Sequence, residues 1–178
     1  VLGQNSATMA IVDISNPASP TTTAIYDPND TGIFSGPQSV QVQGGYAYIA
    51  AGGASDALTI VDVSDPTSPT TTGAWVPGSG GVTDVKVVGS YAYVQSDLAD
   101  RLSIVDVSDP ANPTLTGFWD PGSGTFDGGG TIAVSGKYVY MPGSITNTVV
   151  IIDVSDPANP VLTGEWDPND TSVIDGPE

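Results

Sequence analysis

Apolar residues fall in short runs, each stopped by Gly, Pro, Asp or Asn. Four kinds of run recur. The first alternates briefly ahead of a turn, in Val40–Val42, Val85–Val88 and Thr131–Val134. The second holds tyrosines two apart, in Tyr46–Ala50, Tyr91–Val94 and Lys137–Met141. A spacing of two puts each pair (Tyr46/Tyr48, Tyr91/Tyr93, Tyr138/Tyr140) on one face of a strand, where it reads as a core wedge. The third is apolar almost throughout: Met9–Ser15, Leu58–Ser64, Leu102–Ser108 and Val149–Ser155. The fourth is Thr-rich, as a half-exposed outer strand should be: Thr21–Tyr26, Thr70–Trp75, Thr114–Trp119 and Val161–Trp166. No stretch makes a helix credible.

The runs come in a fixed order, and the order repeats. IVDISNPASP starts at Ile11, IVDVSDPTSP at Ile60, IVDVSDPANP at Ile104 and IIDVSDPANP at Ile151. The starts are 49, 44 and 47 residues apart. A strand repeat of about 40–50 residues is the mark of propeller blades, since one copy cannot bury its own apolar faces. The predicted fold is therefore all-β, a β-propeller or partial propeller of four-stranded antiparallel blades. It forms one repeat domain over 1–178, with units at 1–38 (partial), 39–81, 82–130 and 131–178. Each Asp-Pro-x-x-Pro segment breaks the ladder, because proline donates no hydrogen bond and Asp caps turns. Asp13, Asp62, Asp106 and Asp153 stand mid-strand among apolar neighbours, where a buried carboxylate needs partners; the backbone of an adjoining blade is the expected one.

Charge narrows the partners. Of 178 residues, 3 are Lys or Arg and 20 are Asp or Glu, for a net charge of −17. Such a surface repels phosphate backbones and anionic lipid, which argues against nucleic-acid and membrane roles. Glu165 and Glu178 are the only glutamates, and Asp favours turns over helices. The chain has no Cys and no His, removing disulfides, thiolate metal sites and the commonest general base. No apolar run approaches the roughly 20 residues of a membrane-spanning helix. With no initiator Met or signal peptide, Val1 reads as a processed or trimmed start.

The stretches Gly45–Ile49 with Leu58–Gly73, Gly89–Val94 with Leu102–Gly117, and Gly136–Met141 with Val149–Gly164 resemble the LVIVP repeat family. Met9–Ala24 matches its second half only. These are propeller-like repeats found mostly in secreted or surface-anchored bacterial and archaeal proteins. The resemblance implies a propeller architecture and an extracellular or cell-surface location. It brings no catalytic motif.

In repeat register, Val1 aligns with Ala50 and Glu178 with Gln38. Four units then lack one strand pair, the counterpart of Ser39–Ile49, which leaves 14 strands and open ladder edges. The expectation is β-augmentation by the rest of a longer polypeptide or by another copy of the chain.

An aromatic closes every outer strand: Tyr26, Trp75, Trp119 and Trp166. With the following carboxylates, Asp120 among them, these could form a ring of sugar-stacking platforms, but blade-to-blade packing that recurs with the blade is the plainer reading. Asp27, Asn29 and Thr31, and again Asp167, Asn169 and Thr171, place oxygen ligands at alternate positions. That partly imitates a calcium loop, and oxygen-only ligands suit Ca²⁺. Pro28 and Pro168 depart from that pattern, and a solvated Pro-Asn-Asp turn is the plainer reading.

For catalysis nothing converges: no G-x-S-x-G elbow, no phosphate loop before a helix, no His for a triad. Asp97 with Asp100, or Asp127 with Asp175, could pair only if folding brought them together. The expected function is a non-catalytic extracellular structural or adhesive module of a surface protein, fibre or larger assembly. The alternative is a module binding glycan or calcium through the Trp/Asp loops. No cofactor is required, with Ca²⁺ the ion the loops would suit. Expected partners are other copies, the remainder of a longer chain, or polysaccharide.

Overall fold

The structure is a computed structural model that describes residues 1–3, 7–28, 33–53, 56–78, 80–96, 100–122, 130–143 and 147–168. Fifteen strands and no helix occur among them. Unit 1 holds β1 (Leu2–Gly3), β2 (Thr8–Asp13) and β3 (Thr21–Tyr26). Unit 2 holds β4 (Pro37–Gln43), β5 (Tyr46–Ala51), β6 (Ala57–Asp62) and β7 (Thr70–Trp75). Unit 3 holds β8 (Val82–Val88), β9 (Tyr91–Ser96), β10 (Arg101–Asp106) and β11 (Thr114–Trp119). Unit 4 holds β12 (Ala133–Ser135), β13 (Tyr138–Pro142), β14 (Val149–Asp153) and β15 (Val161–Trp166). Each unit is one antiparallel sheet whose strands lie in chain order, the arrangement of blades in a partial propeller. The strand beyond the expected 14 is β1, whose Leu2 and Gly3 pair with Met9 and Thr8.

Local chemistry accounts for the strand limits. The Gly44-Gly45 turn between β4 and β5 has φ of +60° and +83°, the left-handed pair that a tight two-residue hairpin requires. β2, β6, β10 and β14 each stop at the repeated Asp, earlier than the expected Ser. Each of these carboxylates folds back on the chain: Asp13, Asp62 and Asp106 Oδ1 accept the N–H of Ser15, Ser64 and Ser108 at 2.8 Å, and Asp153 that of Ser155 at 2.9 Å. This corrects the expectation of bonds to an adjoining blade. An Asp at the end of a strand offers its neighbour's N–H an alternative to the ladder, and the strand ends there. A second such turn follows at once, with Asp65, Asp109 and Asp156 capping Thr67, Ala111 and Ala158.

Every outer strand carries a bulge. The register skips Thr23, Thr72, Thr116 and Thr163, which twists the sheet edge away from continued pairing.

The blades bury their faces against one another. Between units 2 and 3, Tyr48, Leu58 and Ile60 meet Val85, Val87, Val94 and Val105. Between units 3 and 4, Tyr93, Leu102 and Ile104 meet Ile132, Val139, Met141 and Ile152. Tyr46, Tyr48, Tyr91 and Tyr93 are wedges at these two seams, whereas Tyr138 and Tyr140 are half-buried outside them; burial pushes the phenols of Tyr48 and Tyr93 above the ordinary tyrosine range. The turns also dock. A Cβ on Gly73 would lie 2.4 Å from the carbonyl oxygen of Pro110, and one on Gly117 2.4 Å from that of Pro157. The Asp-Pro turns of units 3 and 4 therefore rest directly on the backbone of the preceding outer strand.

Candidate functional site

The inner strands β4 and β8 lie against each other, and β12 against β8. Each is the last strand of its sheet, so one edge of its backbone has no ladder partner. Side chains from the neighbouring inner strand meet that need. Gln41 Nε2 donates to the Val87 carbonyl at 2.8 Å while its Oε1 accepts the Val87 N–H at 2.9 Å. One carboxamide thus imitates a missing strand. Gln43 Nε2 donates to the Gly89 carbonyl at 2.8 Å in the same manner.

Where unit 2 has Ser39 and Gln41, unit 3 has Asp84 and Lys86, and unit 4 has Thr131 and Ala133. Among the described residues Asp84 is the one buried charged side chain, 3% exposed. Its Oδ1 accepts the Ser39 hydroxyl, and its Oδ2 accepts the backbone N–H of Ile132 at 2.9 Å. Lys86 Nζ donates to both oxygens, at 2.9 and 2.8 Å, and lies 3.3 Å from the Val85 carbonyl. A carboxylate has about four lone-pair sites, and these four bonds occupy them. Asp84 therefore ties three inner strands together and fixes an ammonium group among them. The member of the pair left facing outward is Lys86, whose side chain is 29% exposed.

Polar groups gather at the same end of unit 3. Gln95 stands beside Asp84 in the ladder, and among the described residues its fully buried amide has no hydrogen-bond partner on either atom. Ser96 Oγ, Ser103 Oγ and Arg101 Nε are also buried without partners among the described residues. Units 2 and 4 carry Ala50 and Ala51, and Pro142 and Gly143, at the places of Gln95 and Ser96. Buried unpaired amides cost free energy unless something polar meets them. None of these residues was singled out above. Their signal is departure from the repeat: what recurs in every unit serves the blade, and what changes in one unit does not.

The aromatic ring is not assembled. Tyr26 is buried, its ring edge-on to Phe34 at 5.3 Å and its hydroxyl bonded to Thr71, so it offers no stacking face. Trp75 packs on the core between units 2 and 3, and Trp119 on that between units 3 and 4. Trp166 is 52% exposed on its own. Asp120 is engaged: Arg101 Nη2 lies 3.2 Å from its Oδ2, and its Oδ1 caps Gly122 N–H at 2.8 Å. Arg101 in turn stacks 4.5 Å over the Phe118 ring. Of the calcium-loop residues, Asn29, Thr31, Asn169 and Thr171 lie outside the described residues, as do Asp97, Asp127 and Asp175. Asp27 and Asp167 are described, and no group of three or more acidic side chains converges among the described residues.

A cavity of about 290 Å³ lies between units 1 and 2, lined by Val1, Met9, Ala10, Ile11, Val40, Val42, Ala47, Val63 and Pro66. It occupies the position over Val40 and Val42 where a tyrosine pair covers the equivalent Val85 and Val87, and it offers no polar chemistry.

The model of the LVIVD repeat matches four times, at residues 3–28, 37–75, 79–120 and 129–167. The chain belongs to the LVIVD repeat family. No curated protein sequence matches it. Among solved structures it is similar to a protein from Lactobacillus plantarum, at 16% identity and a TM-score of 0.76, over 93% of this chain and 53% of that one. It is also similar to a putative 6-phosphogluconolactonase from Bacteroides fragilis (14% identity, TM-score 0.69, 90% of this chain and 51% of that one). A periplasmic gluconolactonase from Pseudomonas aeruginosa gives 15% identity and a TM-score of 0.71, over 90% and 50%. The chain spans about half the length of these structures, and likeness at such identity is likeness of fold. It nonetheless corrects the expected function. Two of these relatives in fold are named as lactonases, so the expectation of a non-catalytic structural or adhesive module, and of no enzyme, is withdrawn. The lack of His and of a G-x-S-x-G elbow excludes only mechanisms that use those groups.

Proposed function

We propose that this chain contributes to a propeller hydrolase that opens a neutral sugar lactone, with Lys86 as the group that meets the substrate. The observation that carries the reading is the Asp84–Lys86 pair: a buried charge on an inner strand, at positions where the other units have uncharged residues. Charged pairs are costly to bury, and a repeat that holds its shape without one in units 2 and 4 has no packing need of it in unit 3. The names of two proteins of like fold supply the reaction class.

In lactone hydrolysis water adds to the acyl carbon, the carbonyl oxygen takes up negative charge, and the bond from that carbon to the ring oxygen then breaks. The water's protons are shared between the new carboxylic acid and the freed hydroxyl. A fixed ammonium beside the carbonyl stabilises the oxyanion. Asp84 orients that ammonium through both of its oxygens. The net charge of −17 decides between substrate classes, since it opposes the approach of a phosphorylated lactone and leaves a neutral one unaffected.

The test is acid release from δ-gluconolactone in a pH-stat, measured against the spontaneous rate. Acceleration is expected, falling on the order of 100-fold or more in Lys86→Met with an unchanged circular dichroism spectrum. A rate equal to the spontaneous one overturns the reading.

A further inference from the structure

Ser39 and Asp84 meet because their two strands break step at the same place. The ladder between β4 and β5 skips Gln38, and the ladder between β8 and β9 skips Thr83. A bulge re-aims the side chain beside it. Here the residues beside the bulges are Ser39 and Asp84, and the Ser39 hydroxyl donates to Asp84 Oδ1 across the seam between units 2 and 3. Residues two apart share a strand face, so Ser39, Gln41 and Gln43 reach β8 side by side, at Asp84, Val87 and Gly89. The stretch 84–89, with Lys86 inside it, is thus held in place by unit 2.

Lys86 departs from this scheme. It stands where Gln41 stands in unit 2, yet its ammonium turns back along its own strand to both oxygens of Asp84, at 2.9 and 2.8 Å. The position of the ammonium is therefore set by the position of the carboxylate. A carboxylate anchored through one oxygen can still swivel about that bond, and one anchored through both cannot. Oδ2 is anchored by the Ile132 N–H at 2.9 Å, a backbone group, and Oδ1 by the Ser39 hydroxyl. Among the described residues, Ser39 is the one side chain besides Lys86 that bonds Asp84.

We infer that Ser39 is a positioning residue for Lys86: its hydroxyl, supplied by the preceding blade, fixes the plane of the Asp84 carboxylate and keeps the ammonium where a lactone carbonyl meets it. This role rests on the lactone reaction proposed for Lys86, and it adds a second blade to the site. Removing the hydroxyl leaves the positive charge in place but spreads the positions it takes up. A group that strays from its productive geometry costs rate.

Two variants separate the hydroxyl from the rest of the side chain. Ser39→Ala removes it, and Ser39→Thr keeps it, as Thr131 does at the same place in unit 4. Each should keep the parent far-UV spectrum. In the pH-stat with δ-gluconolactone, Ser39→Ala should lower kcat about 10-fold with KM within about twofold of the parent, and Ser39→Thr should restore kcat. A second measurement needs no turnover. The chain has two lysines, so isotopic labelling of lysine side-chain nitrogens gives two ammonium signals by NMR, assigned with Lys86→Met. Exchange of the Lys86 ammonium protons with water should run several-fold faster in Ser39→Ala and at the parent rate in Ser39→Thr. Unchanged exchange in Ser39→Ala overturns the proposal, and so does unchanged kcat where exchange has quickened. A loss of kcat that Ser39→Thr does not restore also overturns it. A parent no faster than the spontaneous rate overturns the lactone reaction and, with it, this role; quickened exchange in Ser39→Ala then marks that failure apart, since Ser39 holds the ammonium without serving turnover.

Discussion

Lys86 Nζ lies 2.8 Å from Asp84 Oδ2, two residues away on the same face of β8, and this is the deepest ion pair of the three that the basic residues make. The other two, Arg101 with Asp120 and Lys137 with Asp153, sit near the surface, where such pairs contribute little. Removing one member of the deep pair strands a buried charge. Lys86→Met should cost on the order of 3 kcal/mol in urea unfolding. Replacing both residues with those of unit 2, as Asp84→Ser with Lys86→Gln, should recover most of that loss. A single and a double variant of equal stability would show that Asp84 is not held by Lys86.

Gly117 and Gly164 occupy the same place in successive units but face different surroundings. Gly117→Ala puts a methyl group 2.4 Å from the Pro157 carbonyl oxygen, and the blades must part to admit it. The expected cost is about 2 kcal/mol, typical of overpacking. Among the described residues Gly164→Ala meets nothing closer than 3.9 Å and should leave the melting temperature almost unchanged. Equal effects at the two positions would mean that the Asp-Pro turns do not bear on the preceding outer strands.

Acid should unfold the protein through its turns. Hydrogen bonds from Ser15, Ser64 and Ser108 hold Asp13, Asp62 and Asp106 below the usual carboxylate range, and Lys137 together with Ser155 brings Asp153 to about 2. A carboxyl that is more acidic when folded stabilises the fold above its unfolded pKa and withdraws that support as pH falls through the folded value. The melting temperature should therefore drop as pH falls from about 4 to about 2. Asp106→Asn keeps an acceptor for the Ser108 N–H without a titrating charge and should lessen the drop. An acid limb identical in that variant would remove the turns as its cause.

The blade was legible because its physics repeats. Val61, Val105 and Ile152 are all fully buried, each followed by an Asp that ends its strand, so pattern and breaker could be read four times over. The candidate site does not repeat. Asp84, Lys86 and Gln95 each occur in one unit only, and a search for recurring residues averages them away. The recurring aromatics drew attention instead, although Trp75 and Trp119 recur because each closes a seam between blades. The end-of-strand aspartates were placed too deep for a related reason. Their neighbours in sequence are apolar, but a strand end turns the Asp outward to its own backbone, and that depends on geometry that composition does not carry.

Gln41 gives the sharpest test of how the inner strands are held. Its amide supplies one donor and one acceptor to Val87, which is 2% exposed, so Gln41→Ala leaves both backbone groups without partners. The expected loss is on the order of 2 kcal/mol. Gln41→Glu keeps the acceptor and replaces the donor with a second lone-pair oxygen facing the Val87 carbonyl. At neutral pH this variant should be less stable than Gln41→Ala. A protonated carboxyl can donate, so folding raises this group's pKa above the unfolded value of about 4.3. Its stability relative to the parent is then fully present below that value and lost as pH rises through the folded pKa. Measured against the parent at each pH, the deficit of Gln41→Glu should shrink as pH falls through the folded pKa and reach its minimum at about pH 4, while that of Gln41→Ala stays constant. Parallel deficits at every pH would mean that Gln41 does not stand in for a strand.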